Sequence, residues 1–232
     1  MILVGLLMVK KLIRVTEVLD YLTEPELLKW FMTKGKAFCD RSSKEALIIG
    51  TIIDQAIQDT VKLGKYTFNG YKEDLKIEEK IKNSLSAWDK FSTNPEKYGA
   101  DPRFISCINM MQEELTDGDV VGHPDMDLDY GDLIEISDVK TSKMIYPKYW
   151  TQTAKYSDMK IKKYGITKPR SISILRLDKE NAEPYYVRIT DENVIQYELT
   201  VFEAYKLTYK HAFNMREVLR QQLEEELLCS TK

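Results

Sequence analysis

The chain has 232 residues, which is long enough to bury a hydrophobic core without support from disulfides or metals. Hydrophobic residues make up 43% of it and charged residues 31%, a balance that excludes a largely disordered chain. The formal net charge of -3 points to no particular partner, and we expect a single domain over residues 1–232.

The cysteines and the N-terminal residues bear on the compartment. Cys39, Cys107 and Cys229 are odd in number and far apart, so neither a disulfide framework nor a cysteine metal cluster is predicted. Met1 to Val9 is apolar but too short to span a bilayer, and we interpret it as a strand or helix that packs on the domain. We therefore expect a reducing, cytoplasmic location and no membrane partner.

Residues 1–100 are predicted to form a mainly helical lobe, because their apolar residues recur at helical spacing. Helices are predicted over residues 15–22, 23–35, 44–62 and 75–91. Ser42 or Ser43 is the expected cap of the third of these helices. Asp54 falls inside that helix, close to the edge of its apolar stripe.

Residues 101–190 are predicted to form a sheet core, and residues 191–232 a C-terminal helix. Strands are predicted over residues 119–126, 133–140, 171–177 and 182–190, with a helix over residues 147–163. Turn-forming Asp and Gly residues make the first two strands a hairpin, and the last two are expected to pair antiparallel. Residues 104–115 fit a helix or a strand, and the closing helix is allowed a break near Thr200. This order predicts an α/β fold, with a central mixed β-sheet flanked by helices.

Charged residues converge on the predicted hairpin. Pairing of its strands would bring Asp125 and Asp138 together, and the strand period of two places Lys140 on the same face as Asp138 and turns Val139 to the other. Carboxylates of this kind suit Mg²⁺ or Mn²⁺, which prefer oxygen ligands and leave room for a substrate phosphate. A lysine beside them can position a nucleophile or stabilise charge on a phosphate.

Three motifs follow one another in this region. They are Gly122-His123-Pro124-Asp125, Asp138-Val139-Lys140-Thr141-Ser142 and Gln152-Thr153-Ala154-Lys155-Tyr156. The series resembles the G-x-x-D, D-x-K-T and Q-x-x-x-Y motifs of the PD-(D/E)XK nuclease superfamily. It is most similar to the RecB-like and phage-exonuclease branch, which includes the mitochondrial genome maintenance exonuclease and the Cas4-type nucleases.

The resemblance implies a restriction-endonuclease-like core and a role for each matching residue. Asp125 and Asp138 would be metal ligands together with the backbone carbonyl of Val139, and Lys140 would be the catalytic lysine. Gln152 and Tyr156 lie four residues apart, so one helix face could present both to the site or to DNA. For this pair, helix packing is nearly as good an interpretation as DNA contact.

The sequence departs from the family pattern at two places. Gly50-Thr51-Ile52-Ile53 matches a G-T-x-x-H motif up to its last position, where Asp54 replaces the histidine, and Asp54 is a candidate metal ligand. For the acid that many members carry upstream, Glu113 and Glu114 are both candidates for metal binding or support. An iron–sulfur cluster of the Cas4 type is not expected, because three cysteines cannot supply four ligands.

A basic run provides the predicted contact with DNA. Residues 140–170 hold nine Lys or Arg residues against a single acid, Asp158, a local excess that suits a polyanion but is also common on a solvated face. Aromatic residues within the run could stack on bases. The residues predicted to bind substrate are Thr141, Ser142, Lys143, Tyr149, Gln152 and Tyr156. His123 is interpreted as structural.

The sequence thus predicts a Mg²⁺- or Mn²⁺-dependent deoxyribonuclease of bacterial-virus type. An exonuclease acting on single strands or duplex ends in recombination, repair or replication is favoured by the resemblance. Two alternatives stay open, a structure-specific or restriction-type endonuclease and a DNA-binding module whose nuclease site has decayed. The oligomeric state and the cleavage polarity do not follow from the sequence.

Overall fold

The structure is a computed structural model that describes residues 12–21, 29 and 32–230. Its helices are α1 (Val15–Tyr21), α2 (Lys36–Leu63), α3 (Leu75–Thr93), α4 (Pro147–Tyr164) and α5 (Glu192–Ser230). Its strands are β1 (Ile13–Arg14), β2 (Ile108–Met111), β3 (Leu115–Asp117), β4 (Val120–Gly122), β5 (Met126–Asp129), β6 (Ile134–Lys140), β7 (Arg170–Leu177) and β8 (Pro184–Ile189). Short 3₁₀ turns at Pro95–Tyr98 and Ile105–Cys107 lie between α3 and β2.

A five-stranded sheet in the order β2-β5-β6-β7-β8 forms the centre of the molecule. β6 and β7 run parallel, and the other neighbours in this sheet run antiparallel. The connection between the parallel pair is α4, since parallel strands need a crossover and a helix usually supplies it. The predicted α/β class, with a mixed sheet flanked by helices, is confirmed.

The predicted hairpin exists, but its first strand is divided between two sheets. Met126 pairs with Ser137 and Asp129 with Ile134, so β5 and β6 form the antiparallel pair that the sequence predicts. Residues 120–122, however, belong to a separate three-stranded sheet in the order β1-β4-β3. The prediction of one continuous strand over residues 119–126 is wrong, because the chain leaves one sheet at Gly122 and enters the other at Met126.

The ends and the continuity of three helices can be compared with the prediction. α2 begins at Lys36, after Gly35 and without a side-chain cap, so the predicted start at Ser42 or Ser43 is wrong. α3 is capped by Asp74, whose carboxylate accepts hydrogen bonds from the backbone N–H groups of residues 76 and 77. α5 continues through Thr200 without the break that the sequence allowed.

Two predicted segments cannot be compared with the structure. The N-terminal segment, Met1 to Val9, and most of the helix predicted from Thr23 lie outside the described residues. Among the helices that the structure does describe, none is long and apolar enough to cross a membrane.

Apolar side chains cover both faces of the five-stranded sheet. On one face α2 and α3 pack Ile53, Trp88 and Phe91 against Leu175 and neighbouring strand residues. Trp88 and Phe91 are fully buried, and each such side chain contributes about 1.5–3 kcal/mol relative to exposure. On the other face, the residues that pack on Ile136, Ile172 and their neighbours come from α1, α4 and α5.

The C-terminal end of β6 is where the sheet reaches the surface. Residues 134–138 are buried, whereas Val139 and Lys140 are partly exposed. Because β6 and β7 are parallel and joined by a crossover helix, their carboxyl ends open toward the same edge, which is the usual location of ligand sites in open α/β sheets.

Candidate active site

Asp125 lies where the chain passes from the small sheet to the large one. Its Oδ2 accepts a hydrogen bond of 2.7 Å from the backbone N–H of Val139 on β6. The structure therefore brings Asp125 to the second strand of the hairpin, although Asp125 itself is not in a strand.

Asp138 and Lys140 form an ion pair on one face of β6. Lys140 Nζ lies 2.5 Å from Asp138 Oδ2, as expected for side chains two residues apart in a strand. The Asp138 side chain is only 2% exposed and that of Lys140 is 20% exposed, so Lys140 covers Asp138 from solvent. Despite the ion pair, Asp138 Oδ2 has no donor with ordinary hydrogen-bond geometry among the described residues.

Gln112 connects two acids that are far apart in the sequence. Its Nε2 donates hydrogen bonds of 3.0 Å to Asp125 Oδ1 and 3.2 Å to Asp54 Oδ1. The backbone of Gln112 has a φ of 54°, in the left-handed region that side-chain-bearing residues rarely occupy. Its N–H donates to the carbonyl of Pro124 at 3.1 Å, a bond that anchors this conformation next to Asp125.

Sequence analysis did not identify Gln112. The resemblance directed attention to an upstream acid, and Glu113 and Glu114 directly follow Gln112. In this chain the side chain that reaches the site from this segment is the amide of Gln112 rather than a carboxylate. A search that accepted any polar residue beside the expected acid would have included Gln112.

Asp54, Asp125 and Lys140 line a cavity of about 330 Å³. Helix α2 forms one wall with Ala46, Gly50, Ile53 and Asp54. The chain around the end of β6 forms the opposite wall with Asp125, Val139, Lys140, Thr141 and Ser142, and Tyr149 and Lys179 complete the lining. Asp138 lies beneath this surface and does not line it.

Negative charge in the site is only partly compensated. Burial raises the pKa of Asp54, and the neighbouring Asp125 charge raises it further against hydrogen bonds from Gln58 and Gln112. Burial likewise raises the pKa of Asp138 to about 7, with the Asp125 charge adding to the effect and Lys140 opposing it. Acids whose pKa is raised by burial and by a neighbouring carboxylate are typical of functional sites.

Lys140 stays protonated in this environment. Burial disfavours its charge, but Asp138 and Asp125 outweigh burial and raise its pKa. The ammonium also lies 4.9 Å from the centroid of the Tyr149 ring, within cation–π distance. Lys140 can therefore supply positive charge and hydrogen bonds to a group that binds in the site.

The donor set fits a hard divalent cation. Within the described ranges, no three His, Cys, Asp or Glu side chains form a compact metal-ligand cluster. Mg²⁺, however, is usually held by one or two carboxylates together with water and substrate phosphate. Asp54 and Asp125 face one cavity with only a neutral amide between them, which is a suitable pair.

Gln152 and Tyr156 contact each other rather than the cavity. Gln152 Nε2 donates to the Tyr156 hydroxyl at 3.0 Å, and both side chains are buried. The Tyr156 ring packs on Gly122, where a Cβ would lie 2.2 Å from ring atom Cε1. Burial, with the Asp138 charge second, raises the pKa of Tyr156 to about 12, so its hydroxyl lies within the electrostatic reach of Asp138.

The two upstream acids lie outside the cavity. Glu113 contacts Lys160 Nζ at 2.6 Å and Lys163 Nζ at 2.7 Å. Burial opposes its ionisation, yet the hydrogen bonds from these lysines and from Tyr164 lower its pKa to about 2. Glu114 is exposed, and its Oε2 lies 3.6 Å from His123 Nε2, so both groups are at the surface.

Most of the predicted basic run is occupied by internal ion pairs. Lys155 and Lys162 contact Asp117, and Lys160 contacts Glu113 and Asp127. Further pairs join Lys140 to Asp138, Lys148 to Asp20, Lys163 to Glu113, Lys168 to Asp129 and Arg170 to Glu192. In the described chain, Lys143 alone of this run makes no ion pair, so the run is not the open basic surface that its composition suggests.

Comparisons with known proteins reveal only distant similarity. No protein-family model matches the chain, and no curated protein matches it. A solved structure of a candidate exonuclease from Eubacterium rectale is 17% identical, with a TM-score of 0.40, and the match covers 76% of this chain and 66% of that one. A phage-related exonuclease from Haemophilus somnus 129PT is 11% identical, with a TM-score of 0.29, and the match covers 68% of this chain and 83% of that one.

These scores are too low to establish a shared fold. In addition, the chain spans less than two thirds of the first of these structures. Any functional conclusion therefore depends on the chemistry of the site.

Proposed function

We propose that this protein is a divalent-metal-dependent nuclease that hydrolyses phosphodiester bonds of DNA. The observation that carries the proposal is the cavity in which Asp54 and Asp125 meet beside the Asp138–Lys140 pair. Its motif series also resembles that of the PD-(D/E)XK nucleases. Uncompensated carboxylates suit a metal, and the metal and the lysine together suit a phosphate.

Asp54 and Asp125 would hold the metal from the two walls of the cavity, with Asp138 and the Val139 carbonyl as the further ligands that the resemblance implies. When bound, a cation such as Mg²⁺ or Mn²⁺ neutralises charge on phosphate oxygens and makes water a stronger nucleophile. Gln112 positions the Asp54 and Asp125 carboxylates relative to each other through its amide. The Val139 N–H fixes the second oxygen of Asp125.

Lys140 acts as a charged positioning group. Because its pKa is raised, it offers an ammonium to the attacking oxygen or to a phosphate oxygen as negative charge develops. Tyr149 limits where that ammonium can lie, since its ring is within 4.9 Å. Thr141 and Ser142 follow on the cavity wall and can donate hydrogen bonds to the substrate.

We favour an exonuclease that acts on single strands or duplex ends in recombination, repair or replication. Helix α2 lines one wall of the cavity, and on this proposal it would favour a strand end over an uninterrupted duplex. A structure-specific endonuclease is the second candidate, because the same cavity could accept a distorted strand.

The test is digestion of end-labelled linear DNA and circular single-stranded DNA with Mg²⁺ or Mn²⁺. We expect the linear substrate to be degraded from its ends, the circle to survive and EDTA to stop the reaction. The variants Asp125→Asn, Asp138→Asn and Lys140→Ala should each lose about 10²–10³-fold in rate, as expected for groups that stabilise transition-state charge. Cleavage of the circle would favour the endonuclease.

Two results would contradict the proposal. Hydrolysis that continues in EDTA would exclude the metal, and full activity in all three variants would exclude this cavity as the site. Asp59→Asn is the control, because Asp59 is on the same helix as Asp54, is hydrogen-bonded by Gln55 and does not line the cavity.

A further inference from the structure

A second and larger cavity adjoins the carboxylate site. It has a volume of about 930 Å³ and lies between the first half of α2, the start of α3 and the turn that joins β7 to β8. Lys179 lines both cavities, and Ser142 in the first is followed in the chain by Lys143 in the second. The two cavities therefore form one continuous depression, and we call the larger part the groove.

The acidic residues of the groove already have partners. Lys80 contacts Glu45 at 2.6 Å and Glu180 at 3.6 Å. Asp74 accepts hydrogen bonds from the first backbone N–H groups of α3. Asp178 accepts from the backbone of the β7–β8 turn and pairs with a neighbouring arginine at 3.2 Å. Each acidic side chain of the groove is thus already engaged by groups of the protein itself.

The remaining cations of the groove have no such partners. Arg41, Lys44, Lys143 and Lys179 form no ion pair with any described residue, and all four line the groove. Lys179 is half-buried, and burial lowers its pKa against the nearby charge of Glu45, with the Lys80 charge adding to the decrease. A partly desolvated cation that contacts no carboxylate is stabilised by an anion that binds beside it.

The positions of these four cations differ from the expectation that the basic run of residues 140–170 as a whole contacts DNA. The lysines of α4 that suggested a polyanion surface contact Asp117, Glu113 and Asp127 and have little charge to offer. The unpaired positive charge comes instead from three separate parts of the chain. It converges beside the cavity in which a phosphodiester would react.

We propose that the groove binds the phosphodiester backbone of a single nucleic-acid strand, through Arg41, Lys44, Lys143 and Lys179, while the end of that strand lies at the carboxylates. This inference rests on the proposed function for the direction of the strand. Cations that line a groove beside the reaction site can contact backbone phosphates without reading bases.

The experiment measures binding separately from hydrolysis. A fluorescein-labelled oligothymidylate is titrated with the protein in EDTA, by fluorescence anisotropy, at several salt concentrations. The variants are Lys44→Gln, Lys179→Gln and the two combined. Lys97→Gln is the matched control, because Lys97 is exposed and lines neither cavity.

We expect each single variant to bind more weakly. The slope of log affinity against log salt should fall by about 0.7 for each phosphate contact removed, and by about twice that in the combined variant. Lys97→Gln should match the unchanged protein. The melting temperatures should also match, since neither Lys44 nor Lys179 forms an ion pair with a residue that the structure describes.

Several outcomes would overturn the groove proposal while leaving the nuclease proposal intact. One is a protein that hydrolyses DNA with Mg²⁺ while both groove variants keep the original affinity and salt slope. Another is equally effective competition by polyglutamate, which would indicate an acidic polypeptide as the occupant. Conversely, weaker binding by the groove variants without any metal-dependent hydrolysis would support the groove proposal and contradict the nuclease proposal.

Discussion

Two buried clusters of charge in this protein have opposite electrostatic character. In the first, around the cavity, Asp54, Asp125 and Asp138 share one ammonium and the pKa values of Asp54 and Asp138 are raised. In the second, between α4 and the strands that precede it, Glu113 has three donors and a pKa lowered to about 2. Both clusters are built from the same residue types.

The difference separates structural charge from functional charge. In the α4 cluster, each acid contacts one or more lysines, and the lowered pKa of Glu113 means that its ionisation stabilises the fold. Around the cavity, ionisation places like charges together and must be balanced by something that binds. The cluster with unbalanced charge is therefore the better candidate for chemistry, even though the sequence shows more lysines near the other.

The largest expected effect is on stability, in the α4 cluster. Replacing Lys160 by Met removes the ion-pair partner of the buried Asp127 and one of the three donors to Glu113. Leaving a buried charge unpaired typically costs about 3–5 kcal/mol, and urea unfolding measures the loss. Lys163→Met is the control, because Lys163 is 38% exposed and its loss should cost less than about 1 kcal/mol. Equal costs would mean that burial does not distinguish the two lysines.

Removing a charge from the cavity should have the opposite effect on stability. Asp54→Asn removes a charge that Asp125 repels, so we expect unchanged or increased stability in EDTA, together with a loss of about 10²-fold in nuclease rate. Urea unfolding and a rate assay on the same preparations check both parts. A variant that is less stable and fully active would identify Asp54 as structural and would remove it from the site.

A smaller change in stability is expected at Gly122, which packs against the ring of Tyr156. Gly122→Ala places a Cβ 2.2 Å from the Tyr156 ring, and overpacking of this kind costs about 1–3 kcal/mol. Gly50→Ala is the contrasting variant, because no atom lies within 4 Å of its Cβ and the residue is helical, so it should gain about 0.4–1 kcal/mol. Thermal melting distinguishes the two signs. A neutral Gly122→Ala variant would show that Tyr156 moves freely and does not position the site.

The smallest expected effect is the pH dependence of stability that arises from Glu135, a buried acid on β6. Burial raises its pKa above the ordinary 4.5, against hydrogen bonds from Ser173 and Tyr186. Because the folded state holds the proton more tightly, the stability contribution of Glu135 is present below pH 4.5 and is lost as pH rises through the folded pKa. The free energy of unfolding of Glu135→Gln, relative to that of the unchanged protein, should therefore increase as the pH rises, by at most about 1.4 kcal/mol per pH unit. Parallel pH profiles of unfolding would place the Glu135 pKa at its ordinary value.

Local patterns were sufficient for part of the site. The strand period of two predicts that Asp138 and Lys140 share a face, and their side chains are 2.5 Å apart. The turn-forming residues after Met126 predict the hairpin that brings Asp125 to Val139. Helical periodicity places Asp54 near the apolar edge of its helix, although it does not show what that edge faces.

Other features depend on contacts between distant segments. Gln112 reaches Asp54 and Asp125 because a left-handed backbone turns its side chain inward, and no sequence pattern predicts that for a glutamine. The start of α2 was also missed, because Gly35 precedes the helix without providing a side-chain cap. In each case, packing overrides the local preference.

The sequence by itself determined the α/β class, the hairpin and the chemical identity of the residues around its end, since periodicity and motif spacing are local properties. Only the tertiary structure decided which charges are balanced. Lys160 and Lys179 look alike in the sequence, but one faces Glu113 across 47 residues and the other faces an open groove. Charge compensation depends on distances in space, and chain order alone does not contain them.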